Sequence, residues 1–130
     1  MNKNTIESRL KELGIYSNYY YRLELKVLAR VLNIDETLNS IVTGVVDGLR
    51  RMVAVTDYRI IIISAGALSA AQVMVIRRDA VKSWKFNKKF LFSTIEIETS
   101  EKTVIVKQTQ ASQKNLFSWA MNEPIRKFDE

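Results

Sequence analysis

The chain has 130 residues, of which 47% are hydrophobic and 26% are charged, and its formal net charge is +6 at pH 7. This is the composition of one ordinary globular domain, and it excludes disordered and fibrous proteins. The sequence contains neither cysteine nor histidine. This excludes disulfides, thiolate nucleophiles, Ser-His triads and metal sites built on cysteine or histidine ligands. Carboxylate pairs, a lysine Schiff base or a carboxylate-bound magnesium stay chemically open without a motif to support them. We therefore expect a protein that is not an enzyme and that has no cofactor, no metal and no small-molecule substrate.

The first segment predicts a short amphipathic helix. Its apolar residues recur at spacings of four and three, at Ile6, Leu10 and Leu13. Asn4 or Thr5 is suited to begin the helix, and Gly14 to end it in a left-handed cap. Charges run through this segment, which is unlike a secretory signal, so we expect a cytoplasmic protein.

A second helix is predicted from Ser17 onward, and its apolar face is unusually wide. Two neighbouring stripes form that face, one with Tyr20, Leu23, Val27, Val31 and Ile34 and the other with Tyr21, Leu25, Leu28 and Leu32. Such a face exceeds what a surface helix needs. We therefore predict that the helices of residues 4–33 pack on the outside of the following sheet or on another subunit.

From Ile41 the apolar period changes from helical to two, which predicts strands. Asp47-Gly48 lies between two β-prone runs and is a strong hairpin signal. The seven predicted strands are residues 40–47, 49–56, 60–63, 73–76, 80–86, 91–98 and 103–108. Short turns join them, which favours an antiparallel barrel or sandwich over a parallel sheet.

One segment, residues 60–76, is almost free of charge and imitates a membrane span. A helix of this length would reach roughly 25 Å, which is short of a hydrocarbon core of ~30 Å. The β-branched run Ile60–Ile63 suits a strand better. We therefore favour two buried strands, joined near Ser64-Ala65-Gly66, over a transmembrane helix.

The last segment returns to the helical period. Its apolar residues are Leu116, Phe117, Ala120, Met121, Ile125 and Phe128, with Trp119 at the border. Pro124 predicts an end or a kink near Asn122. We predict that Leu116, Phe117, Ala120 and Met121 close one end of the sheet. The predicted fold class is α+β.

The stretch VVDGLRRMVAVTDYRIIIIS, residues 45–64, resembles bacterial pleckstrin-homology-like (PH-like) domains of the YokE-like type. Thr56 and Arg59 occupy that family's Thr-x-x-Arg positions, and RRDAVKSWKF and the C-terminal helix are also similar. The resemblance covers roughly residues 38–128 and implies a seven-stranded antiparallel PH-like barrel closed by a C-terminal helix. The helix pair that the apolar pattern predicts precedes this barrel and is not part of the family's core domain. Together, the pattern and the resemblance predict a helical extension over residues 1–36 and a barrel domain over residues 37–130. The resemblance also implies binding to proteins, peptides or lipid head groups, with no catalytic residues.

Six cations and one acid, Asp79, lie close together in the sequence and give this stretch a net charge of +5. The cations are Arg77, Arg78, Lys82, Lys85, Lys88 and Lys89, and Trp84, Phe86 and Phe90 are interleaved with them. They could hold the phosphates of anionic lipid head groups or, less readily, of nucleic acid. The other interpretation, which we favour, is two solvated hairpin turns and the solvent face of a strand.

Two further clusters have simple interpretations. Tyr16, Tyr19, Tyr20 and Tyr21 suit helix packing better than an aromatic recognition patch. Glu96, Glu98 and Glu101 suit a solvated strand edge better than a metal site. We expect Arg59 to organise the Thr56 turn. The leading functional hypothesis is an interaction module that binds a protein partner or forms a homo-oligomer. The alternative is peripheral binding to an anionic membrane through residues 77–89.

Overall fold

The structure is a computed structural model that describes residues 2–20, 22–66 and 70–126, apart from the side chain of Lys3. The helices are α1 (Lys3–Glu12), α2 (Tyr16–Tyr19), α3 (Leu23–Val31) and α4 (Lys114–Asn122). The strands are β1 (Leu38–Val46), β2 (Leu49–Thr56), β3 (Arg59–Ser64), β4 (Gln72–Arg77), β5 (Val81–Asn87), β6 (Ser93–Thr99) and β7 (Thr103–Thr109). Tyr21 and Phe128, which were placed on apolar helix faces, lie outside the described residues.

All seven strands belong to one antiparallel sheet in the order β4-β3-β2-β1-β7-β6-β5. The predicted α+β class, the seven strands and the C-terminal helix are confirmed. The barrel is an approximation, however, because β4 and β5 are the two ends of the sheet and do not pair within the described residues. The curved sheet is therefore open along one seam.

Within the stretch 60–76, residues 60–64 lie in β3 and residues 72–76 lie in β4, as predicted from the β-branched run. Within residues 2–20, 22–66 and 70–126, no helix has the length and apolar character needed to span a bilayer. The Asp47-Gly48 turn joins β1 to β2, with φ values of 50° and 78°. Both values are positive, as a two-residue type I′ hairpin requires.

The inner core lies between the concave face of the sheet and α4. Alternate residues of the strands point into it, and among them are Val53, Ile60, Ile62, Ile95 and Val106. Phe117 and Ala120 of α4 are fully buried there, and Met121 is nearly so. The predicted closing role of α4 is thus confirmed for these three residues, whereas Leu116 is half-buried.

The outer core lies on the opposite face of β1, β2 and β3, where the N-terminal helices cover the sheet. It includes Ile6, Leu10, Leu25, Leu28 and Leu32 from the helical segment. From the sheet it receives Ile41, Met52, Ala54, Ile61 and Ile63. The four isoleucines of β3 are therefore buried on both faces, two in each core, as the absence of polar alternation predicts.

The helical segment differs from the prediction in two places. The N-cap of α1 is Asn2, whose side chain accepts a hydrogen bond from the Thr5 backbone amide. The predicted second helix is broken between α2 and α3, with Arg22 in an extended conformation. With the helix broken at this point, Tyr19 of α2 is buried, and so are Leu25 and Leu28 of α3. Tyr20, Leu23 and Ile34, assigned to one apolar stripe, are exposed instead.

Candidate functional site

The Thr-x-x-Arg turn between β2 and β3 is a buried polar network. The Thr56 hydroxyl donates to the Glu36 carboxylate over 2.6 Å and accepts from the backbone amide of Arg59. The Arg59 guanidinium contacts both Glu36 oxygens at 2.7 and 2.8 Å and donates to the Val31 carbonyl. Arg59 therefore has the expected structural role, although the carbonyl that it binds belongs to α3. The network fastens the helical segment to the start of β3.

Glu36 is the centre of this network, and nothing in the sequence pattern identifies it. Burial alone would raise the pKa of its carboxyl, but hydrogen bonds from Arg59, Thr56 and the Asn33 backbone outweigh burial and lower that pKa. The hydrogen bonds that Arg59 itself donates to Glu36 raise the pKa of Arg59 and outweigh the lowering effect of burial. Both side chains are therefore charged inside the fold, where the carboxylate and the guanidinium form a hydrogen-bonded ion pair.

Arg78, one of the six predicted ligand residues, is turned into the protein. Its side chain is buried, and its guanidinium donates to the carbonyls of Thr56, Met121 and Glu123 over 2.7–3.1 Å. Two of these carbonyls lie at the C-terminal end of α4, where a cation complements the helix dipole. Burial lowers the pKa of Arg78, against the opposing effect of Asp57 and Glu123. The charge of Arg78 is thus used to hold α4 on the sheet.

The other five cations are exposed but are not gathered at one place. Arg77 forms an ion pair with Asp79 at 2.5 Å, and Lys85 forms one with Glu96 at 3.0 Å. Arg77 precedes β5, whereas Lys88 and Lys89 follow it. A strand of this length separates its ends by roughly 20 Å. The structure therefore does not bring all of these charges to one end of the sheet.

The aromatic residues interleaved with the cations also divide. Trp84 and Phe86 pack against Phe117 of α4, with ring centroids 5.6 and 6.0 Å apart. Phe90 instead lies in the β5–β6 loop and is 99% exposed. Leu91 and Phe92 follow it and are also exposed. The outward apolar surface of this region is thus the loop rather than the strand.

The edge strand β4 carries a second exposed apolar surface. Val73 and Val75 pair with Ile63 and Ile61 of β3 and share their outer face. Ile61 and Ile63 are buried beneath the helices, but Val73 and Val75 are 43% and 46% exposed. The apolar outer face of the sheet therefore extends beyond the helices that cover it.

The seam beside β4 is a shallow cleft. It lies between β4 and the β6–β7 turn, and its walls include Val75, Arg77, Ser100 and Lys102. Near it, the Lys102 ammonium group is 3.6 Å from the Met74 sulfur. Along this seam, the backbone edge of β4 has no strand partner within the described residues.

The remaining clusters have mainly structural contacts. Tyr16 stacks on Tyr20 at 5.1 Å, and Tyr19 is buried with its hydroxyl hydrogen-bonded to Gln113. Glu96 is engaged by Lys85. In the described part of the chain, no three acidic residues are close enough together to hold a metal ion.

The chain is similar to a known family and to solved structures. The family model described as "Bacterial PH domain" matches residues 32–122. The crystal structure of a pleckstrin homology domain from Shewanella amazonensis SB2B is similar with a TM-score of 0.51 and 17% identity, covering 72% of this chain and 82% of that one. A DUF1696 family protein with a pleckstrin-homology domain from Shewanella loihica PV-4 also gives a TM-score of 0.51, with 15% identity, covering 72% of this chain and 90% of that one. No curated protein matches significantly. At these identities, the similar structures establish the fold.

Proposed function

The chain belongs to the bacterial PH domain family, and from this premise we propose that it is a non-catalytic interaction module that binds a protein partner or a second copy of itself. The observation that carries the proposal is the free edge of β4. Among the residues that the structure describes, the backbone of this edge has no strand partner, and the edge carries two half-exposed valines on an apolar face that the helices leave uncovered. An added strand would satisfy the backbone and cover the valines together.

The proposed occupant is an extended segment of protein. Alternate side chains of such a segment would lie on Val73 and Val75, while the others would enter the cleft toward Ser100 and Lys102. A second copy could supply its own β4, because two antiparallel edges pair with twofold symmetry. The cleft is shallow and open, which suits an extended segment better than an enclosed small molecule.

The test combines two measurements on the full chain. Light scattering gives its mass in solution, and selection from a displayed peptide library reports whether it takes an extended partner. The double variant Val73→Lys/Val75→Lys should abolish the oligomer or the selected binding, because a charged edge resists strand addition. The matched control is Ile105→Lys, at a residue of similar exposure on the internal strand β7.

Two results would contradict this proposal. One is a monomer that selects no peptide. The other is binding that survives Val73→Lys/Val75→Lys unchanged. Circular dichroism must show that the double variant and the control retain the same secondary structure, so that lost binding reports the edge rather than the fold.

A second candidate function is peripheral binding of anionic lipid head groups through residues 77–89. The supporting observation is that Lys82, Lys88 and Lys89 are exposed, with no ion-pair partner among the residues that the structure describes. Since Arg78 is buried, the surface proposed here consists of the other five cations.

We expect Lys88→Glu/Lys89→Glu to weaken cosedimentation with anionic vesicles at low salt. The control Lys26→Glu/Lys107→Glu makes the same charge change on α3 and β7 and should have a smaller effect. An oligonucleotide tested in parallel distinguishes lipid from nucleic acid. If the unmodified protein binds neither the vesicles nor the oligonucleotide, the second candidate function is wrong and these cations are simply solvated.

Three finer predictions accompany the proposal. The helical residues 1–36 are treated as an extension of a PH-like domain over residues 37–130, although the family match begins at residue 32. The YokE-like type is the subgroup that the Thr-x-x-Arg turn favours. A cytoplasmic location, with or without peripheral membrane contact, agrees with both candidate functions.

A further inference from the structure

The β5–β6 loop, residues 88–92, has the sequence Lys-Lys-Phe-Leu-Phe and presents three consecutive apolar side chains to solvent. Phe90 is 99% exposed, Leu91 74% and Phe92 52%. Single exposed apolar residues are common on protein surfaces, but a contiguous exposed group indicates a site of interaction.

Neither hydrophobic core includes these side chains. Trp84 and Phe86 are the inward residues of β5 and pack against Phe117. On the other side of the loop, Ser93 at the start of β6 is already buried. The apolar tip therefore lies beyond the limit of the inner core.

Charge identifies the kind of surface that would receive this tip. Between residues 80 and 95 the sequence contains four lysines and no acidic residue. Lys88 and Lys89 directly precede the tip, and neither forms an ion pair in the described part of the chain. Exposed aromatic and aliphatic side chains beside cations are the combination that an anionic lipid interface accommodates.

The geometry points to insertion of Phe90, Leu91 and Phe92 into the head-group layer of an anionic bilayer, with Lys88 and Lys89 on the lipid phosphates. The long stems of the lysines allow their charges to stay at phosphate level while the tip enters deeper. A bilayer is favoured over a protein because a projecting loop enters a soft interface without a preformed pocket. This inference rests on the second candidate function, membrane binding, and adds an apolar component to it.

The two components should respond differently to salt. The lysine contribution, about fivefold in affinity per residue, should fade as the Debye length falls below its physiological value of about 8 Å. The Phe90 contribution should persist, because burial of apolar surface does not depend on screening. We expect Phe90→Ser to weaken binding about tenfold at both low and high salt.

The experiment uses the full chain and vesicles of phosphatidylcholine, either alone or mixed with phosphatidylglycerol. Phe90→Ser is compared with Phe90→Leu, which should restore most of the binding. The matched control is Ile34→Ser, which changes a side chain that is 91% exposed outside this loop. Phe90→Trp should show a blue-shifted emission with the mixed vesicles, quenched by lipids that carry a quencher near the head group. Thermal unfolding should be the same for all four variants.

Each outcome bears on the inference. No binding of the unmodified chain to mixed vesicles would overturn both the second candidate function and the insertion. Binding that needs Lys88 and Lys89 but is unchanged in Phe90→Ser would overturn the insertion alone. Equal loss in Phe90→Ser and Ile34→Ser would also overturn it. Salt-resistant loss in Phe90→Ser, with recovery in Phe90→Leu, would support it.

Discussion

The two cores of this protein share the same strands but are built from different parts of the chain. The inner core combines all seven strands with α4, whereas the outer core combines β1, β2 and β3 with the N-terminal helices. Ile60 and Ile62 enter the inner core, and Ile61 and Ile63 enter the outer one. The strand β3 thus contributes to both cores, as β1 and β2 also do.

The family match covers the two cores to different extents. It covers residues 32–122, which contain the inner core but only the last part of the helical segment. The helical side of the outer core therefore lies outside the match, apart from Leu32, whereas its sheet side lies within it. Because its sheet side is isoleucine-rich, we expect the helices to be required for stability, and the following variants test how far the two cores depend on each other.

The largest effect is expected from Phe117→Ala in the inner core. Phe117 is fully buried and packs against Trp84 and Phe86, so its truncation should lower the free energy of unfolding by about 3–5 kcal/mol. Urea unfolding measures this loss. Trp119→Ala is the control on the same helix, because that side chain is 42% exposed and should contribute less. A loss below about 1 kcal/mol for Phe117→Ala would contradict its closing role.

A slightly smaller effect is expected from Leu28→Ala in the outer core. The fully buried side chain should contribute about 2–4 kcal/mol. Because the cores share β1, β2 and β3, near-ultraviolet and far-ultraviolet circular dichroism should report one coincident unfolding transition. Leu23→Ala, at a half-exposed position of the same helix, should cost less. Two separate transitions would show that the helices form an independent layer.

Gly44→Ala tests the contact between β1 and β7 that joins the two halves of the sheet. A methyl group at Gly44 would lie 2.5 Å from Val106 Cγ1 and 2.6 Å from the Lys107 carbonyl oxygen. A backbone oxygen cannot rotate away, so we expect a loss of about 1–3 kcal/mol in thermal or urea unfolding. Thr43→Ala, at the adjacent position, should cost less. An unchanged midpoint for Gly44→Ala would mean that the two strands separate easily.

The smallest effect concerns pH and Glu36, which connects the helical segment to the sheet. Its pKa in the folded protein is below the ordinary value of 4.5, so the folded state binds this proton less readily than the unfolded state. Its stabilisation is therefore present above pH 4.5 and is lost as the pH falls through the folded-state pKa. Glu36→Gln should lower stability at neutral pH by about 1–2 kcal/mol and make the acid-induced loss shallower.

The control for this variant is Glu12→Gln, which removes the charge of an exposed glutamate paired with Arg9. Such surface pairs contribute little, so its unfolding midpoint at neutral pH should scarcely change. If Glu36→Gln unfolds in acid with the same pH dependence as the unmodified protein, protonation of Glu36 is not a cause of the acid-induced loss of stability.

Local patterns were sufficient to predict the strands of this fold. The second strand was predicted over residues 49–56, as observed, because the Asp47-Gly48 turn and the Thr56 turn define both of its ends. The break between α2 and α3 was not predicted, since both apolar stripes fit one continuous helix. Only contact with the sheet decides which stripe is buried.

The polar residues were harder to place, because their partners are distant in the sequence. Thr56 lies 20 residues from Glu36, and Arg78 lies 43 residues from the Met121 carbonyl that it binds. A cation in a polar turn looks solvated until the end of α4 is known to lie beside it. For the same reason, a continuous run of cations gave no indication that β5 separates its two ends.

The four isoleucines of β3 have a consequence for strand alignment. Sliding this strand by one residue exchanges its two faces, yet it would still bury two isoleucines on each side, so hydrophobicity alone does not select the alignment. The alignment is selected instead by the polar residues of the turn that joins β2 to β3. Thr56 and Arg59 both meet Glu36 in the observed pairing, and a slipped strand would carry the guanidinium about 3.3 Å away from it. The least hydrophobic part of this hairpin thus determines how its most hydrophobic part is aligned.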